Sequence, residues 1–229
     1  MFRFRQFSVD DASCAMKVGT DGVLLGAWAQ AGAPLRILDI GTGSGLIALM
    51  LAQRYPQATV TAIDIEAGAV AQAERNFRQS PWADRLQAVH CALQDFRSAD
   101  RFDLIVSNPP YFQNSLKTPD AARTTARHTD TLTYGTLMTC SSKLLHLQGT
   151  LALVLPAWEE TAIRDIALSH RLYLKQLCRI RGREGKPFRR ILAAFCKEQL
   201  LPQEEELTLE STPGQRSTGY ALLTQDFYL

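Results

Sequence analysis

Two short stretches carry most of the chemistry in this chain: Asn108-Pro109-Pro110-Tyr111 and Asp39-Ile40-Gly41-Thr42-Gly43-Ser44-Gly45. In the first, two consecutive prolines fix the backbone and withhold two N–H donors, which leaves carbonyl groups free to point into a site. An Asn carboxamide on one side and an aromatic ring on the other complete a slot for a flat, amide- or amidine-like nitrogen. The structural alternative is a rigid turn that closes a strand, with Tyr111 packed on the core. In the second stretch, glycines at every second position let the backbone turn sharply and approach a ligand closely, with a helix N-terminus behind it.

The elements that must position these stretches are legible around them. Leu35 to Ile40 is a short apolar run that reads as a buried strand, and Leu46 to Arg54 follows at helical spacing until Pro56. Ala58 to Ile65, Leu86 to Cys91, Phe102 to Val106 and Thr150 to Leu155 are further candidate strands. Ala67 to Gln79, Thr131 to Leu147 and Trp158 to Ser169 read as the helices between and after them. Such alternation predicts an α/β fold with a parallel sheet and helices on both faces. Leu172 to Ile180 and Arg189 to Cys196 flank a turn-rich segment and predict an antiparallel hairpin at the sheet edge. Pro202 to Glu206 reads as a short acidic linker and Ser211 to Thr218 as a loop.

The glycine stretch does not follow the G-x-G-x-x-G spacing of dinucleotide folds. Its D-x-G-x-G-x-G pattern resembles the cofactor loop of S-adenosylmethionine-dependent methyltransferases. Asn108-Pro109-Pro110-Tyr111 likewise resembles the N-P-P-[YF] signature of those that modify a planar nitrogen. The resemblance implies the class I methyltransferase architecture, a Rossmann-like, seven-stranded, mostly parallel sheet with a C-terminal antiparallel hairpin. It also implies S-adenosylmethionine as cofactor, with Gly41, Gly43 and Gly45 passing under it and Asp39 helping to set the site through hydrogen bonds. Asp64, at the end of the second strand, can accept from both ribose hydroxyls, and Ile65 would pack on the adenine face. Asp95, after the third strand, is placed to accept from the cofactor's adenine amino group. Each acid taken alone is equally an ordinary solvated loop residue.

An exocyclic amino nitrogen is a poor nucleophile because its lone pair is delocalised into the ring. If Asn108 Oδ1 and the Pro109 carbonyl accept its two hydrogens, the nitrogen gains electron density, and Tyr111 would stack on the base. Catalysis is then mostly positioning and electrostatics, and no catalytic base is assigned.

The resemblance extends over nearly the whole chain. Cys14-Ala15-Met16-Lys17-Val18-Gly19-Thr20-Asp21-Gly22, Ala126-Arg127-His128-Thr129 and Leu223-Thr224-Gln225-Asp226-Phe227-Tyr228-Leu229 are similar to the bacterial family that N6-methylates the adenosine 3′ of the anticodon, position 37, in a valine tRNA. That similarity implies an N-terminal segment over the cofactor, with Lys17, Thr20 and Asp21 near its methionine end. Thr20 or Asp21 could equally cap a helix. The tRNA partner, through its anticodon stem-loop, has support in charge distribution. Arg171, Lys175, Arg179, Arg181, Arg183, Lys186, Arg189, Arg190 and Lys197 crowd one hairpin, opposed there only by Glu184. Lys117, Arg123, Arg127 and His128 surround the loop that follows the tetrapeptide. Two basic segments flanking a base slot suit phosphate contacts on either side of a flipped nucleotide. A solvated basic surface is the competing reading.

Composition bounds the rest. The chain has 229 residues, 46% hydrophobic and 21% charged, with a formal net charge of +2, which fits one domain with one sizeable core. The division expected is residues 1–33 over the cofactor, 34–198 as core and 199–229 as a C-terminal extension. Met1-Phe2-Arg3-Phe4-Arg5 has no apolar run of the kind a signal peptide needs, and no stretch is long enough to span a membrane. The 5 cysteines, Cys14, Cys91, Cys140, Cys178 and Cys196, are scattered singly, which fits neither a disulfide framework nor a zinc site and suits the cytoplasm. Two other enzyme readings share the tetrapeptide logic: a glutamine N5-methyltransferase acting on a protein such as a release factor, and a guanine N2-methyltransferase of ribosomal RNA. The first usually carries an extra N-terminal helical domain, and residues 1–34 leave little room for one. The second commonly has Phe in the last motif position and a duplicated domain. A cofactor- or RNA-binding module without turnover would have no need of the Asn108 slot.

Overall fold

The computed structural model describes residues 1–12, 17–110 and 132–229. A short strand pair, β1 (Phe2–Arg3) and β2 (Ser8–Val9), precedes helix α1 (Thr20–Trp28). The alternating core follows as β3 (Arg36–Ile40), α2 (Leu46–Arg54), β4 (Thr59–Asp64), α3 (Ala67–Arg78), β5 (Leu86–His90) and β6 (Phe102–Ser107). Next come α4 (Tyr134–Leu144), β7 (Leu145–Pro156), α5 (Glu160–Ser169), β8 (Tyr173–Arg183) and β9 (Arg190–Cys196). The chain then runs through β10 (Gln203–Thr212), β11 (Gln215–Arg216) and α6 (Thr218–Thr224).

Among the described residues the main sheet has nine strands in the order β11-β10-β8-β9-β7-β6-β3-β4-β5. The run β7-β6-β3-β4-β5 is parallel throughout, and β9 enters antiparallel to both β7 and β8. From β3 the chain winds outward to β4 and β5, then returns to place β6 on the other side of β3. That reversal opens a crevice at the carboxyl ends of β3 and β6, the usual place for a ligand in an open α/β sheet. Register locks it, with Ile40 opposite Ser107 and the Ser107 hydroxyl donating to the Ile40 carbonyl at 2.8 Å.

Successive strand residues serve opposite faces, as a period of two requires. Leu104, Val106, Ala152 and Val154 join α1, α2, α3 and α6 in one core cluster. Ile105, Leu151, Leu153 and Leu155 join α4 and α5 in the other. On the first face α1 crosses α2 closely, because a Cβ on Gly22 or Gly26 would lie 3.0 Å from Leu46 Cδ2 or 2.7 Å from Met50 Sδ. Arg54, near the end of α2, donates to the carbonyls of Gly26 and Ala29 at 2.9 and 2.7 Å, filling acceptors that α1 leaves open.

The expected strands and helices of the core occur within a few residues of their anticipated bounds, apart from β7, which begins at Leu145 rather than at the expected Thr150 and so ends α4 at Leu144. The C-terminal third departs from expectation. Residues 202–206 are no linker: they open β10, which lies parallel beside β8, and residues 211–218 contain β11 and a tight turn. Glutamates are poor strand formers by themselves. Here Glu206 and Glu210 stand opposite Arg179 and Arg183 in the β8–β10 register, so cross-strand charge pairing compensates. The sheet therefore gains two strands over the seven anticipated.

Candidate active site

The loop after β3 is supported from beneath. Asp39 is fully buried, and its Oδ2 accepts from the Thr42 hydroxyl at 2.6 Å. Burial pushes its carboxyl up to about 7, opposed mainly by that hydroxyl. Asp39 thus holds the loop and does not reach the cavity above it. Gly41 and Thr42 donate their N–H groups to the Ile63 carbonyl, and Gly43 N–H donates to Asp64 Oδ2 at 2.9 Å. Gly45, the N-cap of α2, has φ +82°, and a Cβ there would meet Phe77 Cε1 at 2.5 Å. Gly43 also has positive φ, but a Cβ on it would meet nothing within 4 Å, since it faces open space.

That space is a cavity of about 320 Å³, walled by Lys17 to Gly22 on one side and Gly41 to Ser44 on the other, with Leu46, Ile47 and Asn108 closing it. The N-terminal ends of α1 and α2 both open onto it, and their free N–H groups favour an anionic group such as a carboxylate. Thr20 is the first residue of α1, but the N-cap is Gly19, so neither Thr20 nor Asp21 caps the helix by its side chain. Lys17 lines the cavity while its ammonium donates to the carbonyls of Asp11 and Ala12 at 2.8 and 3.1 Å. Asp64 is half-buried at the end of β4, and its Oδ1 accepts from Glu66 N–H at 3.0 Å. Each of its carboxylate oxygens keeps a further lone pair for a hydroxyl. Ile65 beside it is 46% exposed, an apolar surface at the loop edge. Asp95 sits exposed in the turn after β5, apart from the residues that wall the cavity.

The other half of the site comes from β6. Asn108 is half-buried, Pro109 buried and Pro110 exposed. Asn108 Oδ1 is a buried acceptor with no hydrogen-bond partner among the described residues. Leaving such an atom unpaired costs on the order of 1–3 kcal/mol, so a group that donates to it is strongly favoured there. Tyr111, Arg123, Arg127 and His128 lie outside the described residues.

Comparison with known proteins agrees with this geometry. Residues 18–162 match the family model of the methyltransferase small domain. The chain belongs to that methyltransferase family. A Vibrio parahaemolyticus protein named tRNA1(Val) (adenine(37)-N6)-methyltransferase is 43% identical over 100% of this chain and 95% of its own. A Bacteroides thetaiotaomicron protein of the same name is 44% identical over 100% and 97%. Among solved structures, a predicted O-methyltransferase from Agrobacterium tumefaciens superposes with a TM-score of 0.70 at 19% identity, covering 90% of this chain and 96% of that one. A ribosomal protein L11 methylase from Lactobacillus delbrueckii gives 0.58 at 18%, covering 83% and 84%. These two show the shared fold.

S-adenosylmethionine is the methyl donor of this methyltransferase, and the residues present fit it. Gly43 opens onto free space, two helix ends face the cavity, and Asp64 and Ile65 flank the loop.

The basic hairpin of the methyltransferase is less free than its sequence suggests. Arg179 donates to Glu160 and Glu204, Arg181 pairs with Glu184 and Glu206, and Arg183 with Glu210. Glu184 is therefore far from their sole opponent. Arg190 Nε donates to Asp21 Oδ2 at 2.8 Å, tying β9 to the cavity wall. Arg171, Lys175 and Lys197 sit at the other end of the sheet, where Lys197 Nζ donates to the Leu145 carbonyl. Asn76, missed from sequence, clamps the site: its Nδ2 donates to the Asp10 and Ser44 carbonyls, both at 2.8 Å, while its Oδ1 accepts from Asp10 N–H. The available signal was a polar residue on the buried face of α3, beside Ala73 and Phe77.

Proposed function

We propose that this methyltransferase methylates N6 of adenine 37 in a valine tRNA, engaging the anticodon stem-loop in the cytoplasm. The observation that carries the reading is the unpartnered, buried Asn108 Oδ1 at the rim of the cavity, at the start of an Asn-Pro-Pro-Tyr sequence. Relatives bearing that activity in their names match this chain from end to end, which supports the tRNA substrate over a protein glutamine.

S-adenosylmethionine supplies an electrophilic methyl group. The chain's own residues hold and polarise the acceptor. Asn108 Oδ1 accepts one hydrogen of the amino group and the Pro109 carbonyl the other, drawing electron density onto nitrogen. Tyr111 stacks on the base and fixes its plane. Asp64 accepts from ribose hydroxyls, Ile65 covers the cofactor's adenine, and Lys17 with Thr20 stands at its methionine end. The amine becomes acidic once it is alkylated, so its proton passes to water without a dedicated base. Fixed geometry does most of the work.

The test is methyl transfer from labelled S-adenosylmethionine to unmodified tRNA, followed by nucleoside digestion. Labelled N6-methyladenosine is expected, with Asn108→Ala slower by about 100-fold or more, the usual cost of one lost electrostatic contact, and cofactor affinity changed far less. Label in protein in place of RNA overturns the reading.

A further inference from the structure

The carboxyl end of the sheet holds a second group of residues that the reaction as described does not use. Strand β7 runs beside β6 with Leu153 opposite Ser107 and continues to Pro156. At about 3.3 Å per residue this lifts its end roughly 10 Å beyond the level of Asn108's strand. There the chain turns through Ala157, whose N–H donates to the Arg189 carbonyl at 3.1 Å, into Trp158. The Trp158 side chain is 65% exposed and makes no hydrogen bond or ring contact among the described residues. An exposed indole offers a large flat apolar face with an N–H at its edge, the shape on which a base can stack.

Cations stand across β9 and in the hairpin turn, and two of them, one lysine and one arginine, differ from the other arginines at that end of the sheet in one respect. Arg179, Arg181, Arg183 and Arg190 all have carboxylate partners within the protein. Lys186 and Arg189 are exposed and have no ion pair among the described residues. Because β8 and β7 run the same way, the turn that carries Lys186 and Arg189 lies at the same end of the sheet as Asn108. An open aromatic face at the same end of the sheet as two uncompensated cations is a combination that suits single-stranded nucleic acid, with the ring taking a base and the cations taking phosphates.

We propose that Trp158, Lys186 and Arg189 form a nucleotide platform on which an unpaired base next to the target adenosine stacks, while the two cations hold the adjoining phosphates. The platform rests on the tRNA reading and extends it: the enzyme grips the loop outside the catalytic slot, at a point the target base itself never reaches.

The test is steady-state methylation of unmodified tRNA by Trp158→Ala, Trp158→Phe, Lys186→Ala and Arg189→Ala, with cofactor affinity measured in parallel. Removing the indole should raise the KM for tRNA about tenfold, the scale of one lost stacked base, with kcat changed little and cofactor affinity unchanged. Trp158→Phe should recover most of the loss. Each cation removed should lower the salt slope of tRNA binding by about one. A wild-type KM in Trp158→Ala overturns the platform while leaving the tRNA reading intact. A loss of cofactor affinity or thermal stability matching the KM change also overturns it, because it would make Trp158 a structural residue. Wild-type enzyme that binds cofactor yet leaves tRNA unlabelled overturns the tRNA reading, and the platform with it.

Discussion

The glycine loop after β3 and the arginine-rich β8–β10 wing are both dense in polar groups, and they treat those groups in opposite ways. Around the cavity, Asn108 Oδ1 is left buried and unpartnered, and two helix ends point into open space. In the wing, Arg179 is shared between Glu160 and Glu204, and Arg181 between Glu184 and Glu206. The first region carries an unmet demand that a ligand can satisfy, whereas the second has met its demands internally. Density of charge in a sequence is therefore a poor guide to binding; vacancy of partners is a better one.

The largest expected effect that would sharpen this contrast comes from Gly45→Ala. The substitution combines a left-handed backbone with a Cβ 2.5 Å from Phe77 Cε1, at a cost of about 2–5 kcal/mol from strain and overpacking together. Calorimetry should show a sharp fall in melting temperature and equilibrium binding a loss of cofactor affinity. Gly43→Ala keeps the left-handed backbone penalty of about 1–2 kcal/mol but has nothing within 4 Å to strike, so it should melt closer to wild type than Gly45→Ala while still losing cofactor affinity. Equal melting temperatures for the two variants would erase the distinction between the packed and the open glycine.

In the wing, Glu160→Gln should lower stability by about 1–2 kcal/mol, because the carboxylate takes charge-assisted hydrogen bonds from Arg179 and Arg164 at a partly shielded site. Cofactor affinity should not change. Hydrogen bonding from Arg179 holds the Glu160 carboxyl below its ordinary value of 4.5. Its contribution is complete above that pH and fades as pH falls further. The melting gap between wild type and variant should thus close as the solution is acidified below about 4.5, and a gap that stays constant would count against the pairing.

Asp39 behaves in the reverse sense. Burial raises its carboxyl from 3.8 to about 7, so its effect on stability is most favourable below pH 3.8 and is lost as pH rises towards 7. Asp39→Asn keeps an acceptor for the Thr42 hydroxyl and does not ionise, so its stability should vary less with pH across that window. A parallel pair of pH profiles would contradict the assignment. The smallest effect belongs to Arg183→Ala, whose partner Glu210 is 3.9 Å away with both side chains nearly half exposed. Thermal melts should differ by under about 0.5 kcal/mol.

What was legible in the sequence follows the range of the interactions involved. Strand β3, the glycine loop and α2 announce themselves through neighbours in the chain: an apolar run, glycines where φ must be positive, and Pro56 as a stop. The pairing of Asn108 with the loop was implied by the resemblance of both motifs to methyltransferase signatures, since the strand order that joins them is set by the fold. Strand β10 could not be read, because a run of glutamates becomes a strand only when arginines from β8 stand beside it. The same distant partners hid the true state of the arginines. The Asn76 clamp left one hint, a polar residue on the buried face of α3, but its partners could not be read because its three hydrogen bonds reach two separate segments.

One feature of the architecture bears on how the molecule is made. Arg5 donates its backbone N–H to the Phe227 carbonyl and its Nε to the Tyr228 carbonyl, a contact between residues 223 apart. Phe2 and Phe4 pack against the Tyr228 ring, and Asn76 fastens the segment that follows to the glycine loop. During translation, then, the segment around Arg5 must wait for residues 227 and 228 before it can settle. Residues 2–5 are therefore among the last parts to be seated, and a chain cut short before residue 227 should keep its central strands while losing the anchor of β1 and β2.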